Sequence, residues 1–216
     1  MNPLPWMPAG TVYGTLLNFQ REHALWAPRM SEVPYKAAPK APVLYIKTAN
    51  TFTPHGQSIA LPAGAAVQVS ASLGVVMGDD GVLGAVLFND VAIAHESYYR
   101  PPVKARCVDG FLGVGAECVP IARFGGLAGL ADLQIELHIN GVHRQTTVLT
   151  ELLRDAATLL ADVSEFMTLR PGDVLMLGTD CLADGARPLV HPGDTVEITA
   201  PGFAPTLHSF TQEVAA

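Results

Sequence analysis

Lysine and arginine are scarce in this chain. There are 13 of them against 20 Asp and Glu, giving a formal net charge of −7 over 216 residues, and no run gathers them. A nucleic-acid binder shows a basic patch or stripe. The balance here argues against nucleic acid and against acidic membrane surfaces as partners. Cysteine is scarce too. Cys107, Cys118 and Cys181 form no CxxC pair, and an odd count in a chain this long argues against a disulfide scaffold. Reduced thiols in a cytoplasm fit best. Residues Met1 to Gly10 lack Lys, Arg and an apolar core, so no signal peptide is expected. The longest apolar stretches, such as 81–88, are far too short to span a membrane.

The motifs that announce a mechanism are also missing. There is no GxGxxG after a strand, no GxSxG, no P-loop and no HExxH. His138 and His143 flank a turn, where metal-ligand geometry is not expected. They read as ordinary surface or sheet histidines.

What is present is apolar. Hydrophobic residues make up 49% and charged residues 15%. That composition folds rather than remaining disordered, and its low charge density leaves room for a large buried interface. The length suits one domain over residues 1–216. Twenty Gly and 17 Pro punctuate short runs of Val, Ile and Leu, which predicts many short strands. These fall at 11–18, 43–47, 66–76, 85–91, 133–139, 174–178 and 195–200. One helix is expected over 150–167, where Leu152, Leu153, Ala156, Leu159, Leu160, Val163, Phe166 and Met167 share a face. Pro171-Gly172 stops it. Two identical triplets, Pro171-Gly172-Asp173 and Pro192-Gly193-Asp194, read as turns delivering the chain into strands. Asn140-Gly141 reads as a hairpin turn. Residues 21–40, of mixed polarity with Pro28, Pro34 and Pro39, read as a surface excursion, and residues 19–40 are a candidate lid.

Six segments, in this order and spacing, resemble the fumarylacetoacetate hydrolase superfamily. They are the stretch from Pro39 through Lys47, VQVSASLGVVMG at 67–78, and Phe88-Asn89-Asp90-Val91. After these come Tyr98-Tyr99-Arg100-Pro101, the run from Arg106 through Phe111, and the run from Leu169 through Thr179. The resemblance covers about Gly10 to Ala200. Within the superfamily, three stretches are similar to the N-terminal repeat of two-repeat isomerase/decarboxylases of homoprotocatechuate (4-hydroxyphenylacetate) degradation. These are Pro34-Tyr35-Lys36 with Pro39-Lys40, the run from Glu96 through Pro101, and the run from Ser164 through Leu169.

The resemblance implies an α+β, mainly β fold, a strand-rich β-roll with few helices. It implies paired subunits, as a homodimer or as a hetero-oligomer with a second repeat-like subunit. It implies a Mg²⁺, Mn²⁺ or Ca²⁺ ion that chelates a small dicarboxylic oxo-acid substrate and draws off electron density when CO₂ or a proton leaves. Hard ions take carboxylate oxygens, which the family supplies as Glu-x-Glu on one strand and a downstream Asp. Here Ser70 and Ser72 stand at the Glu positions and only Asp90 keeps its acid. Metal binding is therefore expected to be weak or absent, and Asp90 can equally cap a turn or pair with a backbone amide.

Other positions depart as well. The family's active-site lysine corresponds to Arg106, which anchors an anion or forms a structural ion pair with Asp109 or a neighbour, but does not shuttle protons. After Asn18-Phe19, the lid's general-base His corresponds to Glu22, with His23 one place on and Leu25 where a Glu is expected. Gly178-Thr179 is kept, with Asp180 in place of the following Pro. Lys47, Tyr99, Arg100 and Thr179 are the remaining candidate substrate contacts. Three roles are compatible with this pattern, the last two of them non-catalytic. One is an isomerase/decarboxylase working through basic residues. The others are a structural partner of a separate catalytic half and a small oxo-acid binding protein.

Overall fold

The computed structural model describes residues 5–95, 97–98 and 103–213. Fourteen strands are found among them. The first half holds β1 (Val12–Leu16), β2 (Val43–Lys47), β3 (Phe52–Thr53), β4 (Ser58–Leu61), β5 (Val67–Gly78), β6 (Gly81–Ile93), β7 (Leu112–Val114) and β8 (Val119–Pro120). The second half holds β9 (Gln134–Ile139), β10 (Val142–Val148), β11 (Val174–Met176), β12 (Leu189–Val190), β13 (Thr195–Thr199) and β14 (Thr206–Gln212). Three short helices are α1 (Gln20–Trp26), α2 (Val103–Arg106) and α3 (Ala156–Ser164). The expected mainly-β fold with few helices is what forms.

One sheet runs β2-β1-β11-β5-β6-β7-β3, with β12 beside β5 and β8 beside β6; the other runs β10-β9-β13-β14-β4. The long hairpin β5–β6 is the spine. Its two faces serve two apolar clusters. Val69, Ala71, Leu73, Val75, Ala85 and Leu87 pack against Ile135, Leu137, Val196, Ile198 and Phe210 of the second sheet and against Leu159 and Val163 of α3. Val76, Val86 and Phe88 face the other way, with Val12, Leu112, Val174 and Met176. A strand buried on both faces needs apolar residues without alternation, which is why β5 and β6 read as near-continuous runs.

Turn chemistry holds the register. Asn140 and Gly141 both take positive φ, 53° and 75°, as a two-residue hairpin loop requires, and β9 and β10 pair antiparallel across them. Both Pro-Gly-Asp triplets end with the Asp carboxylate accepting the amide three residues back. Arg170 N donates to Asp173 Oδ2 at 2.8 Å and His191 N to Asp194 Oδ2 at 2.8 Å.

The helix is shorter than its apolar face suggests. Residues 149–151 form a 3-10 turn. Leu152 is extended, in a bridge with Phe19. The helix begins only after Asp155, whose side chain accepts Thr158 N at 2.8 Å. That N-cap satisfies an orphan amide and fixes the start. Six further strands, β3, β4, β7, β8, β12 and β14, lie where none was expected, and four of them are only two or three residues long.

Candidate active site

Asp90 is the centre of the site. It lies on β6, directly opposite Ser70 of β5. Ser72, two residues along the same strand, points to the same face. The fold therefore sets these three positions on one face of the hairpin. Their surroundings differ from a metal centre. Asp90, only 3% exposed, meets Lys47 Nζ at 2.8 Å through Oδ1 and Arg106 Nη1 at 3.2 Å through Oδ2. The Tyr45 hydroxyl also donates to Oδ2.

Lys47 and Tyr45 belong to β2, four places from β6 along the sheet. In a flat sheet that distance is roughly 19 Å, at about 4.8 Å per strand, beyond any side chain. The sheet must curl to bring them together, and the contacts with Asp90 tie the curl. Gly14, paired with Tyr45 across β1 and β2, permits the approach. A Cβ there would fall 2.0 Å from the Tyr45 ring.

Lys47 is fully occupied. Its Nζ donates to the carbonyls of Val91, Arg106 and Phe111 at 2.7, 2.9 and 2.8 Å, besides facing Asp90. Burial lowers its proton affinity, yet three carbonyl acceptors and a carboxylate keep it an ammonium. Burial works against the Asp90 carboxylate as well, but the charges of Lys47 and Arg106 outweigh it and hold the carboxyl below its usual range. Burial and then the Asp90 charge push the Tyr45 phenol well above its ordinary value, so it stays a donor.

Arg106 does not pair with Asp109, which binds Asn50 at 2.5 Å. Its guanidinium sits 4.2 Å over the Tyr45 ring and lines a cavity of about 570 Å³. Glu22, Trp26, Arg29, Tyr98 and Arg187 also line it. Glu22 projects from α1 and is 6% exposed. Its Oε2 accepts Leu17 N at 3.1 Å and its Oε1 accepts Arg187 Nη2 at 2.5 Å. Arg187 Nη2 also reaches Thr179 Oγ1 at 3.2 Å. Burial lowers the guanidinium's proton affinity, but Glu22 more than offsets this.

A second ion pair lies beside the first. Arg21 Nη1 meets Asp180 Oδ2 at 3.2 Å. So α1 offers a cation and then an anion, and the loop after β11 answers with an anion and then a cation. That pairing gives Asp180, which replaces a proline of the family pattern, a structural task. Aromatic rings hold the segment that follows α1. Trp26 meets Tyr35 and Tyr98 edge-on at 5.7 and 5.1 Å, and Tyr35 stacks on Tyr98 at 4.3 Å.

Among the candidates taken from the sequence, Arg106, Glu22, Thr179 and Asp90 come together. Lys47 joins them beneath the cavity, with its protons directed away from it. His23 is half-buried on α1 and does not line the cavity. Tyr99 and Arg100 lie outside the described residues. Tyr45 and Arg187 were not anticipated. The one signal for Arg187 is that it is the single Lys or Arg between Pro171 and Ala216.

The residues present do not fit a divalent ion. Among the described residues, no three His, Cys, Asp or Glu side chains group as ligands. Ser72 Oγ donates to Gly178 O at 2.7 Å. A cation placed at Asp90 would also have to sit beside an ammonium and a guanidinium already bound to it.

The fold places the chain among curled, two-sheet, strand-rich proteins, and comparison with known proteins gives the family. Residues 11–211 match the fumarylacetoacetate (FAA) hydrolase C-terminal family, and the chain belongs to that family. It is 36% identical over 207 residues to the 4-hydroxyphenylacetate degradation bifunctional isomerase/decarboxylase of Escherichia coli, covering 91% of this chain and 46% of that enzyme. The chain thus spans about half the length of the curated relatives it matches. Among solved structures, it resembles 5-carboxymethyl-2-hydroxymuconate delta-isomerase from Mycobacterium smegmatis, at TM-score 0.78 and 26% identity, over 98% of this chain and 82% of that one. It also shares its fold with maleylpyruvate hydrolase from Sphingobium sp. SYK-6 in complex with manganese (II) ion and pyruvate. That match has TM-score 0.73 and 19% identity, over 98% and 72% of the two chains. Among the described residues of this chain, no helix is long and apolar enough to cross a membrane.

Proposed function

We propose that this chain is the metal-poor half of an isomerase/decarboxylase of 4-hydroxyphenylacetate breakdown, working in the cytoplasm as a dimer or with a second repeat-like subunit. Its substrates are small dicarboxylic oxo-acids. The reactions are decarboxylation of 5-carboxymethyl-2-oxohex-3-ene-1,7-dioate and isomerisation of 2-hydroxyhepta-2,4-diene-1,7-dioate. The observation that carries this reading is Asp90. The one acid remaining of the family's three is already neutralised by Lys47 and Arg106, so the charge a metal supplies elsewhere is built into the protein here.

Isomerisation needs a proton acceptor and a counter-charge for the enolate. Glu22 is the buried carboxylate that lines the cavity, with Asp184 at its exposed rim, and Arg106 is a fixed cation lining the same cavity. Preorganised charge of this kind lowers a barrier without a metal. Arg106 keeps its proton throughout, so it stabilises and does not shuttle.

A second reading is favoured by the match to less than half of the bifunctional relative. There the chain is a non-catalytic partner of a subunit that keeps the acids. Assaying both substrates with Mg²⁺ and with EDTA, first on the chain alone and then with the catalytic half added, separates the two. EDTA-resistant isomerisation by the chain alone supports the first reading. Activity only on mixing supports the second, and activity abolished by EDTA sinks the metal-poor assignment.

A further inference from the structure

Charge in the site does not balance. Three buried or nearly buried cations, Lys47, Arg106 and Arg187, face two buried carboxylates, Asp90 and Glu22. Tyr45 contributes a neutral donor. The adjoining Arg21 has its own acids, buried Asp180 at 3.2 Å and part-exposed Glu151 at 3.8 Å. Asp184 lines the cavity from an exposed turn, where its carboxylate accepts Ala186 N at 2.9 Å. Among the described residues, Asp90 and Glu22 leave one of the three inner cations without a buried carboxylate of its own, and an unpaired buried charge calls for a counter-ion.

Lys47 is not the group that would receive an anion, because its protons go to three carbonyls. Arg106 and Arg187 remain. Both line the cavity, and each side chain is 12% exposed. The bonds found for Arg187 among the described residues all run through Nη2. Its Nε is buried and has no hydrogen-bond partner among those residues. A guanidinium anchored through one nitrogen has donors left over, in the planar fork that matches a carboxylate.

We propose that Arg106 and Arg187 form a two-guanidinium receptor that binds one carboxylate of a small 2-oxo-dicarboxylate without a metal ion. This rests on the reading of the substrate class above, and it assigns Arg187 a binding role. Thr179 and Glu22 hold the guanidinium in place. Ligand binding and lid closure are then linked, because Glu22 belongs to the lid helix.

The test is calorimetric titration of the full chain with 2-oxoadipate, in EDTA and again in Mg²⁺. Binding of equal strength in both is expected, and Arg187→Met and Arg106→Met should each weaken it at least about tenfold, the scale of one charge-assisted hydrogen bond. Arg187→Lys should recover part of the loss. Arg187→Met leaves Glu22 unpaired and can misfold, so Glu22→Gln/Arg187→Met serves as a second variant, checked by far-UV circular dichroism. It should fold and bind as weakly as the single variant. Binding that requires Mg²⁺, wild-type affinity in the folded Arg187 variants, or no binding by the wild type would each overturn the proposal. Binding without turnover would leave it standing and count only against the enzymatic reading.

Discussion

Lys47 Nζ and Asp90 Oδ1 lie 2.8 Å apart, with side chains that are 0% and 2% exposed. They join the edge strand β2 to the central strand β6. Removing Lys47 leaves the buried Asp90 with only Arg106 and the Tyr45 hydroxyl against its charge and frees three carbonyls, and breaking a buried pair costs up to about 3–5 kcal/mol. Lys47→Met should lower the unfolding free energy by about that much. Lys47→Met/Asp90→Asn should recover a good part of the loss. Urea denaturation of the two variants checks this, and equal losses would show that the carboxylate is not what suffers.

The aromatic clasp makes a local prediction. Trp26 touches Tyr35 and Tyr98, and the Arg29 guanidinium lies 4.4 Å over its ring. Each aromatic pair contributes about 0.5–1.5 kcal/mol beyond area burial. Trp26→Ala should therefore loosen the lid by about 1–3 kcal/mol while the two-sheet core is unaffected. Hydrogen exchange should speed up at residues 20–37 and stay unchanged in β5 and β6. Acceleration spread through the core would contradict a separable lid.

Most of the scaffold was legible because its signals are local. The Pro-Gly-Asp turns, Asn140-Gly141 and the run of β5 each carry their geometry within a few residues. The helix was over-read because periodicity registers an apolar face without knowing that Leu152 is used to bridge Phe19. Strand β14 was missed because its inward positions include Thr206 and His208, which hide the alternation of an amphipathic strand. The site was legible only through the family pattern, which located Ser70, Ser72, Asp90, Arg106 and Glu22. Nothing local announces Tyr45 or Arg187. Their partners lie 45 and 165 residues away, and only the curl of the sheet and the closing of α1 bring them into contact.

The crowding of Asp90 predicts indifference to metal. A ligand at 100 times its dissociation constant stabilises by about 2.7 kcal/mol, which raises the melting temperature of a chain this size by roughly 5–10 °C. The chain should melt at the same temperature in EDTA and in millimolar Mn²⁺. Electron paramagnetic resonance should find the added Mn²⁺ free in solution. A stoichiometric bound signal would mean that Lys47 and Arg106 yield to the ion.

His208 sets a pH dependence of stability. It is 2% exposed on β14, against Gly113, where a Cβ would fall 2.6 Å from the imidazole ring. Its Nε2 lies 3.3 Å from Thr53 O. Burial pushes its pKa down to about 4, with a small further push from His55. An unfolded histidine titrates near about 6.5. Between those values the unfolded chain binds a proton that the folded chain refuses, so stability falls as pH drops. It is flat above about 6.5 and decreases by up to about 1.4 kcal/mol per pH unit down to about 4. The total, for this one group, is up to about 3 kcal/mol. Carboxylates begin to titrate near the lower end, so the window to read is about pH 5 to 6.5, between the ordinary Glu and His values. His208→Leu should remove the slope in that window, and urea midpoints for both proteins measure it. Parallel profiles would place the slope in other groups and return His208 to a neutral packing role.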